Sequence, residues 1–304
     1  MLLFKRSLPR VPSRSFVVGK CPSDPEFLRP EGELALAFDA WLDGASGELH
    51  ARYGANWPLQ FSQTVRFLWH PPKRLRTAGA LVGAIVPSVD AVGRDYPLSI
   101  FAQFAADESA SPHLVPLAFQ HYLADAESLA RSAPELSKVS LQDHAEALQI
   151  PPDDAFAEAD VAHRTFTEHV RHEDFWPVLF PGGEPTSMAS HTLDALSNAL
   201  LSLRGNERPK SDVLLRLPLS EGRFVPVWLD VVERFRQPHP ARVSAFWTDD
   251  TLLVAPGDDV PPSVLSELFA QDGEEDLIDV TAVHLALGDS AGSLASVLDS
   301  LGSD

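Results

Sequence analysis

One short stretch of the chain gathers a hydroxyl, two carboxylates and a guanidinium, Ser88, Asp90, Asp95 and Arg94, around Gly93. A serine nucleophile would need a base and a sharp turn of the G-x-S-x-G kind. Here Ser88 sits in V-P-S-V-D, and no histidine can be assigned to it as a base. The remaining chemistry is that of an acid-arginine pair. Asp90 can accept from nearby backbone donors, Gly93 can take a positive φ, and Arg94 supplies a planar cation. A turn braced by Asp90 and Arg94, with Arg94 reaching Asp95 and nearby carbonyls, is the reading preferred over catalysis. The alternative is an enzyme acting on a small polar substrate near Asp90 and Arg94.

Two other stretches invite chemistry and do not sustain it. Gly19-Lys20 suggests a phosphate loop, but the G-x-x-x-x-G-K-[ST] pattern needs glycine where Arg14 stands and a hydroxyl residue where Cys21 stands. That leaves a strand-end glycine and a surface lysine. His163, His169, His172 and Glu173 form the only local cluster of metal-like content. On one helix His169 and Glu173 share a face while His163 and His172 point apart, and two ligands alone do not make a site. Cys21 is the only cysteine, which excludes an intrachain disulfide and a cysteine-based zinc site. No metal, no cofactor and no catalytic set is expected, so no enzymatic activity is expected either.

The elements that must hold these residues follow from periodicity. Residues 80–86 are apolar at nearly every position, as in a strand buried on both faces, and 96–104 read as a second strand. Residues 15–19 suit a short strand, and S-D-P-E at 23–26 matches a capping box that would start a turn of helix. Leu34, Phe38, Trp41, Leu42, Ala45, Leu49 and Tyr53 then form the apolar stripe of a long helix, with Asp39 and Asp43 off the stripe. Residues 64–69 give a strand ended by Pro71-Pro72, so the first part reads β-α-β-β-β. Helical patterns fill 113–131, 141–148, 153–170 and 190–203. Strand patterns return at 213–217, 223–231, 243–247 and 252–254, with Glu221-Gly222 and Asp249-Asp250 as hairpin turns, and a helix follows at 262–270. Trp41, Trp57, Trp69, Trp228 and Trp247 fall in apolar patterns and belong to core or sheet faces.

The fold class is therefore α/β in the α+β sense: a mostly antiparallel central sheet flanked by helices, built from both ends of the chain, with a helical segment inserted at about 112–203. Residues 1–271 are expected to form one domain. Residues 272–304 would follow as an acidic linker and a strand-helix extension, strand-like at 277–287 and carrying a Leu294, Val297, Leu298, Leu301 stripe.

The 304 residues carry 43 acidic against 24 basic side chains, a formal charge of −19 that would repel a phosphate backbone. The densest basic run, Lys73-Arg74-Leu75-Arg76, is short, and no nucleic-acid partner is expected. At 44% hydrophobic the chain should fold. Its longest apolar run, around 78–86, falls far short of the ~20 residues a membrane helix needs. The apolar N-terminal residues precede Lys5-Arg6, the reverse of a secretory signal, so a cytoplasmic location is expected.

Residues 87–98 read P-S-V-D-A-V-G-R-D-Y-P-L, and this phrase resembles the TagF (ImpM) family of accessory proteins of bacterial type VI secretion systems. A second family phrase, G-K-L-P-S-x-G-D-F, is met at residues 19–27, where Gly19, Lys20, Pro22, Ser23 and Phe27 are kept. The D-A-W-L of residues 39–42 is a third match, and the pattern around 244–248, 252–254 and 261–269 a looser one. The resemblance is strongest over about residues 14–105. It departs from the family at Pro25-Glu26, where Gly-Asp is usual, so this loop should take a different path. The resemblance implies an accessory, negative post-translational regulator of secretion-apparatus assembly that works by protein-protein binding. It implies other type VI components as partners, the forkhead-associated protein among them. The residues it singles out are Gly19, Lys20, Pro22, Ser23, Phe27, Pro87, Ser88, Asp90, Gly93 and Arg94.

Overall fold

A computed structural model describes residues 13–75, 79–105, 111–179, 214–236, 242–257, 259–269 and 278–279. In chain order the strands and helices are β1 (Arg14–Lys20), β2 (Phe27–Leu28), α1 (Glu33–Tyr53), α2 (Trp57–Gln60), β3 (Val65–Trp69), β4 (Gly79–Val86) and β5 (Leu98–Ala105). A 3-10 turn at Pro112–Leu114 opens the helical segment, α3 (Val115–Ala118), α4 (Gln120–Ser132), α5 (Lys138–Ala147), α6 (Ala155–His169) and α7 (His172–Leu179). Then come β6 (Leu215–Pro218), α8 (Val225–Arg236), β7 (Ser244–Trp247), β8 (Thr251–Ala255), α9 (Val264–Phe269) and β9 (Ile278–Asp279). The strands form one sheet in the order β2-β1-β5-β4-β3-β7-β8-β6-β9, antiparallel throughout except for the β6-β9 pair. This is the expected α+β class, with the sheet drawn from both ends of the chain and a helical insertion between β5 and β6.

The sheet is buried on both faces, as the continuous apolar run of β4 predicts: all eight of its residues are buried. Alternate side chains of β4 and β5 divide between two cores. Val82, Ala84, Ile100, Ala102 and Phe104 pack with Tyr122, Ala126 and Ala130 of α4 and Trp228 and Val232 of α8. Leu81, Ile85 and Phe101 face the other way, toward Phe38 and Leu42 of α1 and Leu265 of α9. Aromatic rings dominate that second core: Phe38 lies 4.8 Å from Phe67, 4.9 Å from Phe101 and 5.4 Å from Trp69. Burying such a ring contributes roughly 1.5–3 kcal/mol. Trp57, Trp69, Trp228 and Trp247 are buried as expected, while Trp41 is partly buried and donates its Nε1–H to the Val260 carbonyl at 3.0 Å.

Three expectations are corrected. Residues 223–231 were expected as a strand, and the structure makes them helix α8. Valines dominate the stretch and suggest β structure, yet Val225, Trp228, Leu229 and Val232 repeat at helical spacing and are all buried. Glu221-Gly222 is consequently not a hairpin between strands. Glu221 and Gly222 both have positive φ, at 52° and 68°, and the Gly222 N–H donates to the Asp249 carbonyl at 2.6 Å, seating the turn on the β7-β8 hairpin. The S-D-P-E stretch starts no helix either. The Glu26 N–H donates to Asp24 Oδ1 at 2.7 Å, and the chain continues into β2. The 190–203 helix, the acidic linker at 272–276 and the 294–301 stripe lie outside the described residues, and of the 277–287 strand only β9 lies within them. Among the described residues no helix is long and apolar enough to cross a membrane.

One side chain of this framework sets a pH response. After β3 the His70 backbone N–H donates to Ser244 Oγ and its Nδ1–H to the Val243 carbonyl, both at 2.9 Å. Burial pulls its pKa from 6.5 down to about 4, with the Val243 bond opposing and the Arg242 charge assisting. Between those values the unfolded chain takes up a proton that the folded chain refuses. Stability from this group is therefore full above pH 6.5 and declines as the pH falls toward 4. Urea midpoints at pH 7 and pH 4.5 should show wild type losing about 2 kcal/mol more than His70→Gln. Equal losses would mean that His70 is not the responsible group.

Candidate functional site

The residues singled out from the two phrases meet at one place, where the end of β1 and the connection to β2 lie against the β4-β5 connection. Gly19 is the hinge. It pairs with Leu98 on one side and Leu28 on the other, at φ +113°, and a Cβ there would stand 2.0 Å from the Pro97 carbonyl oxygen. Only glycine permits this approach. Next to it, Ser88 Oγ donates to the Lys20 carbonyl at 2.8 Å, which ties the phrases together a second time. The Lys20 ammonium lies 6.0 Å from the Tyr96 ring centroid, and the Phe27 ring meets Tyr96 edge-on at 4.7 Å.

The 87–98 loop is built around Asp90. Its side chain is fully buried and accepts from the Val92 N–H at 3.1 Å, the Arg94 N–H at 2.9 Å and Arg94 Nε–H at 2.8 Å. Burial works to raise its pKa, but these donors outweigh burial and hold the carboxyl below the usual range. Gly93, at φ +84°, closes the loop by donating its N–H to the Asp90 carbonyl at 3.0 Å. The far end of Arg94 donates to the Pro25 carbonyl of the other phrase. Asp95 is not part of this brace, contrary to expectation. It lies 3.3 Å from His50 Nδ1, on α1.

The departure from the family pattern at Pro25-Glu26 is structurally accommodated. Pro25 contributes the carbonyl that receives Arg94, and Glu26 pairs with Lys138, whose pKa is raised chiefly by that bond. Ser23 Oγ donates to the Leu136 carbonyl, so the start of α5 clamps the loop from beyond. These contacts span more than a hundred residues, and nothing in the sequence near Leu136 or Lys138 signals them. The third phrase joins from α1. Burial raises the pKa of Asp39, with the Arg29 charge opposing, and its charge acts on the buried Tyr96 phenol, whose pKa is raised mainly by its own burial.

The outer surface of this platform is exposed and mixed in character. Ser23, Pro25, Glu26, Arg29, Ala91 and Arg94 are all exposed, and Val92 is 63% exposed at the loop tip. Beneath it Pro22, Pro87 and Ser88 line one wall of a cleft of about 180 Å³, opposite Ala130, Arg131 and Pro134. That is below the roughly 300–1,000 Å³ of typical ligand pockets. A rigid sheet end presenting short exposed loops is suited to contact with another macromolecule. The histidine group is dispersed: α6 ends at His169 and α7 begins at His172, and His163 is buried against α8 instead.

Fold and site thus define an α+β protein with an exposed two-loop platform at one end of its sheet. Residues 17–149 match the family described as the TagF N-terminal domain, type VI secretion system-associated. Over this segment the chain is similar to the TagF family, in agreement with the resemblance read from its phrases. Comparison with curated proteins found no match. Among solved structures, PA0076 from Pseudomonas aeruginosa PAO1 is similar at 23% identity, over 50% of this chain and 77% of that one, with a TM-score of 0.39.

Proposed function

We propose that this chain is a negative post-translational regulator of type VI secretion that works by occupying a partner, with the 19–27 and 87–98 loops as the contact surface. The carrying observation is the convergence of both family phrases on one exposed platform. Ser88, Asp90 and Arg94 are spent on holding the two loops together, which favours recognition over turnover and supports reading the chain as a non-enzyme. The partner is a component of the secretion apparatus, with the forkhead-associated protein the first to test, and the site of action is the cytoplasm. Residues 1–271 act as the binding unit and 272–304 as an appended extension.

The test uses residues that the fold does not need. Deleting the gene should raise secretion, and overproduction should lower it in proportion to protein level. Val92→Glu, at the exposed tip, should leave the thermal midpoint unchanged while weakening binding to the purified forkhead-associated protein about tenfold or more. Unchanged secretion on both deletion and overproduction would overturn the regulatory reading. Full binding by Val92→Glu would instead move the contact surface elsewhere.

A further inference from the structure

Away from the platform, three elements bring a second set of side chains together. His113 lies in the 3-10 turn after β5, His163 on α6 and Asp230 on α8. One nitrogen from each ring and one Asp230 oxygen lie within 4.8 Å of one another. His163 Nε2 is 2.9 Å from Asp230 Oδ2, and the two imidazole centroids are 4.7 Å apart. His163 and Asp230 are only 5% and 4% exposed. Glu233, one turn beyond Asp230, contacts His113 Nδ1, and Arg234 Nε–H donates to Asp230 Oδ1 at 2.7 Å.

We propose that His113, His163 and Asp230 form a binding site for a divalent first-row transition ion of the Zn²⁺ class. Two imidazoles and one carboxylate are a borderline donor set suited to Zn²⁺, and donors around a tetrahedral ion with bonds of about 2.0–2.1 Å stand about 3.3 Å apart. His163 Nε2 and Asp230 Oδ2 stand 2.9 Å apart and all three donors lie within 4.8 Å of one another, a spread compatible with that value. Exposed acidic groups often cluster without an ion, but these ligands are buried and drawn from three separate elements. Two further contacts have the form of outer-shell support. Glu233 on His113 fixes that ring's orientation and tautomer, and Arg234 orients the Asp230 carboxylate, donating Nε–H to Oδ1 at 2.7 Å and, at a longer 3.3 Å, Nη2–H to Oδ2. For loading, His163 carries its proton on Nδ1 and turns the Nε2 lone pair to the ion. Coordination then fastens the turn after β5, inside the 17–149 family segment, to α6 and α8 beyond it.

The full-length chain, dialysed against chelator, should take up one Zn²⁺ per chain with a dissociation constant of about micromolar or tighter. It should also give the visible bands of four-coordinate Co²⁺ when loaded with cobalt. His163→Ala and His113→Gln should each weaken uptake by more than about 100-fold, and Glu233→Gln by about tenfold. His169→Ala, on the same helix but exposed and bonded to the Thr165 carbonyl, should change nothing. If His163→Ala fails to fold, His113→Gln, at a partly buried position, carries the same comparison. No saturable uptake by wild type, or equal uptake by wild type and His113→Gln, would overturn the site.

Discussion

Gly19→Ala is expected to lose about 3–5 kcal/mol of stability, the largest effect of any single methyl added at the platform. Two costs combine. The φ of +113° is a backbone conformation that side chains rarely adopt, and the new Cβ would stand 2.0 Å from the Pro97 oxygen. The oxygen is backbone in the loop leading into β5, so no rotamer change relieves the contact. β1 must move away from Leu98, and with it the Lys20 carbonyl that receives Ser88. Gly47→Ala is the matched control. Gly47 lies on α1 with nothing within 4 Å of its Cβ position, and alanine there should stabilise by about 0.5–1 kcal/mol. Denaturant midpoints of the pair decide it: a Gly19→Ala protein as stable as wild type would mean the two phrases do not approach as described.

The parts of the fold legible from sequence are those where periodicity and environment agree. β4 is apolar at every turn because both of its faces are covered, and α1 shows its stripe because one side of it packs on Phe67 and Phe101. The misread element, α8, carries Val225, Val227, Val231 and Val232. Its β-branched residues are stabilised in a helix by tertiary burial, a term that local propensity does not contain. The capping-box reading of 23–26 failed for a related reason. Ser23 and Glu26 had the correct types, but distant partners at Leu136 and Lys138 took both side chains.

The candidate site divides in the same way. The Asp90-Arg94 brace is local, four residues apart, and was readable from its turn chemistry. The meeting of the 19–27 and 87–98 loops was not, because Gly19 to Pro97 is a contact between strands whose pairing the sequence does not display. His163 was visible as one of a local histidine group. Its actual neighbours, His113 and Asp230, are 50 residues before it and 67 after it in this numbering, and only the packing of the turn after β5, α6 and α8 on one another brings them together. Spacing rules find ligands on one element and miss those assembled from three.

Asp90→Ala should cost about 2–4 kcal/mol, second only to Gly19→Ala, because it strips the acceptor from two backbone N–H groups and from Arg94 at once. Arg94→Ala should cost less, about 1–3 kcal/mol, since Asp90 keeps its two backbone donors but loses its charge partner while fully buried. The guanidinium itself is 56% exposed, so removing Asp90 strands no buried cation, and this keeps the Asp90 cost below that of a fully buried pair. Because its pKa is lowered on folding, Asp90 contributes stability above the ordinary carboxylate pKa, and that contribution is lost as the pH falls through the folded value. Asp90→Asn should therefore flatten the acid limb of the stability curve, a response that a change in partner contact alone would not give. In a double-mutant cycle the Asp90→Ala and Arg94→Ala losses should fall short of additivity, since each removes the same bond. Additive losses would mean that the pair does not brace the loop. An Arg94→Ala protein with an unchanged midpoint but no binding to the forkhead-associated protein would make Arg94 a contact residue, with Asp90 holding the turn through its backbone donors alone.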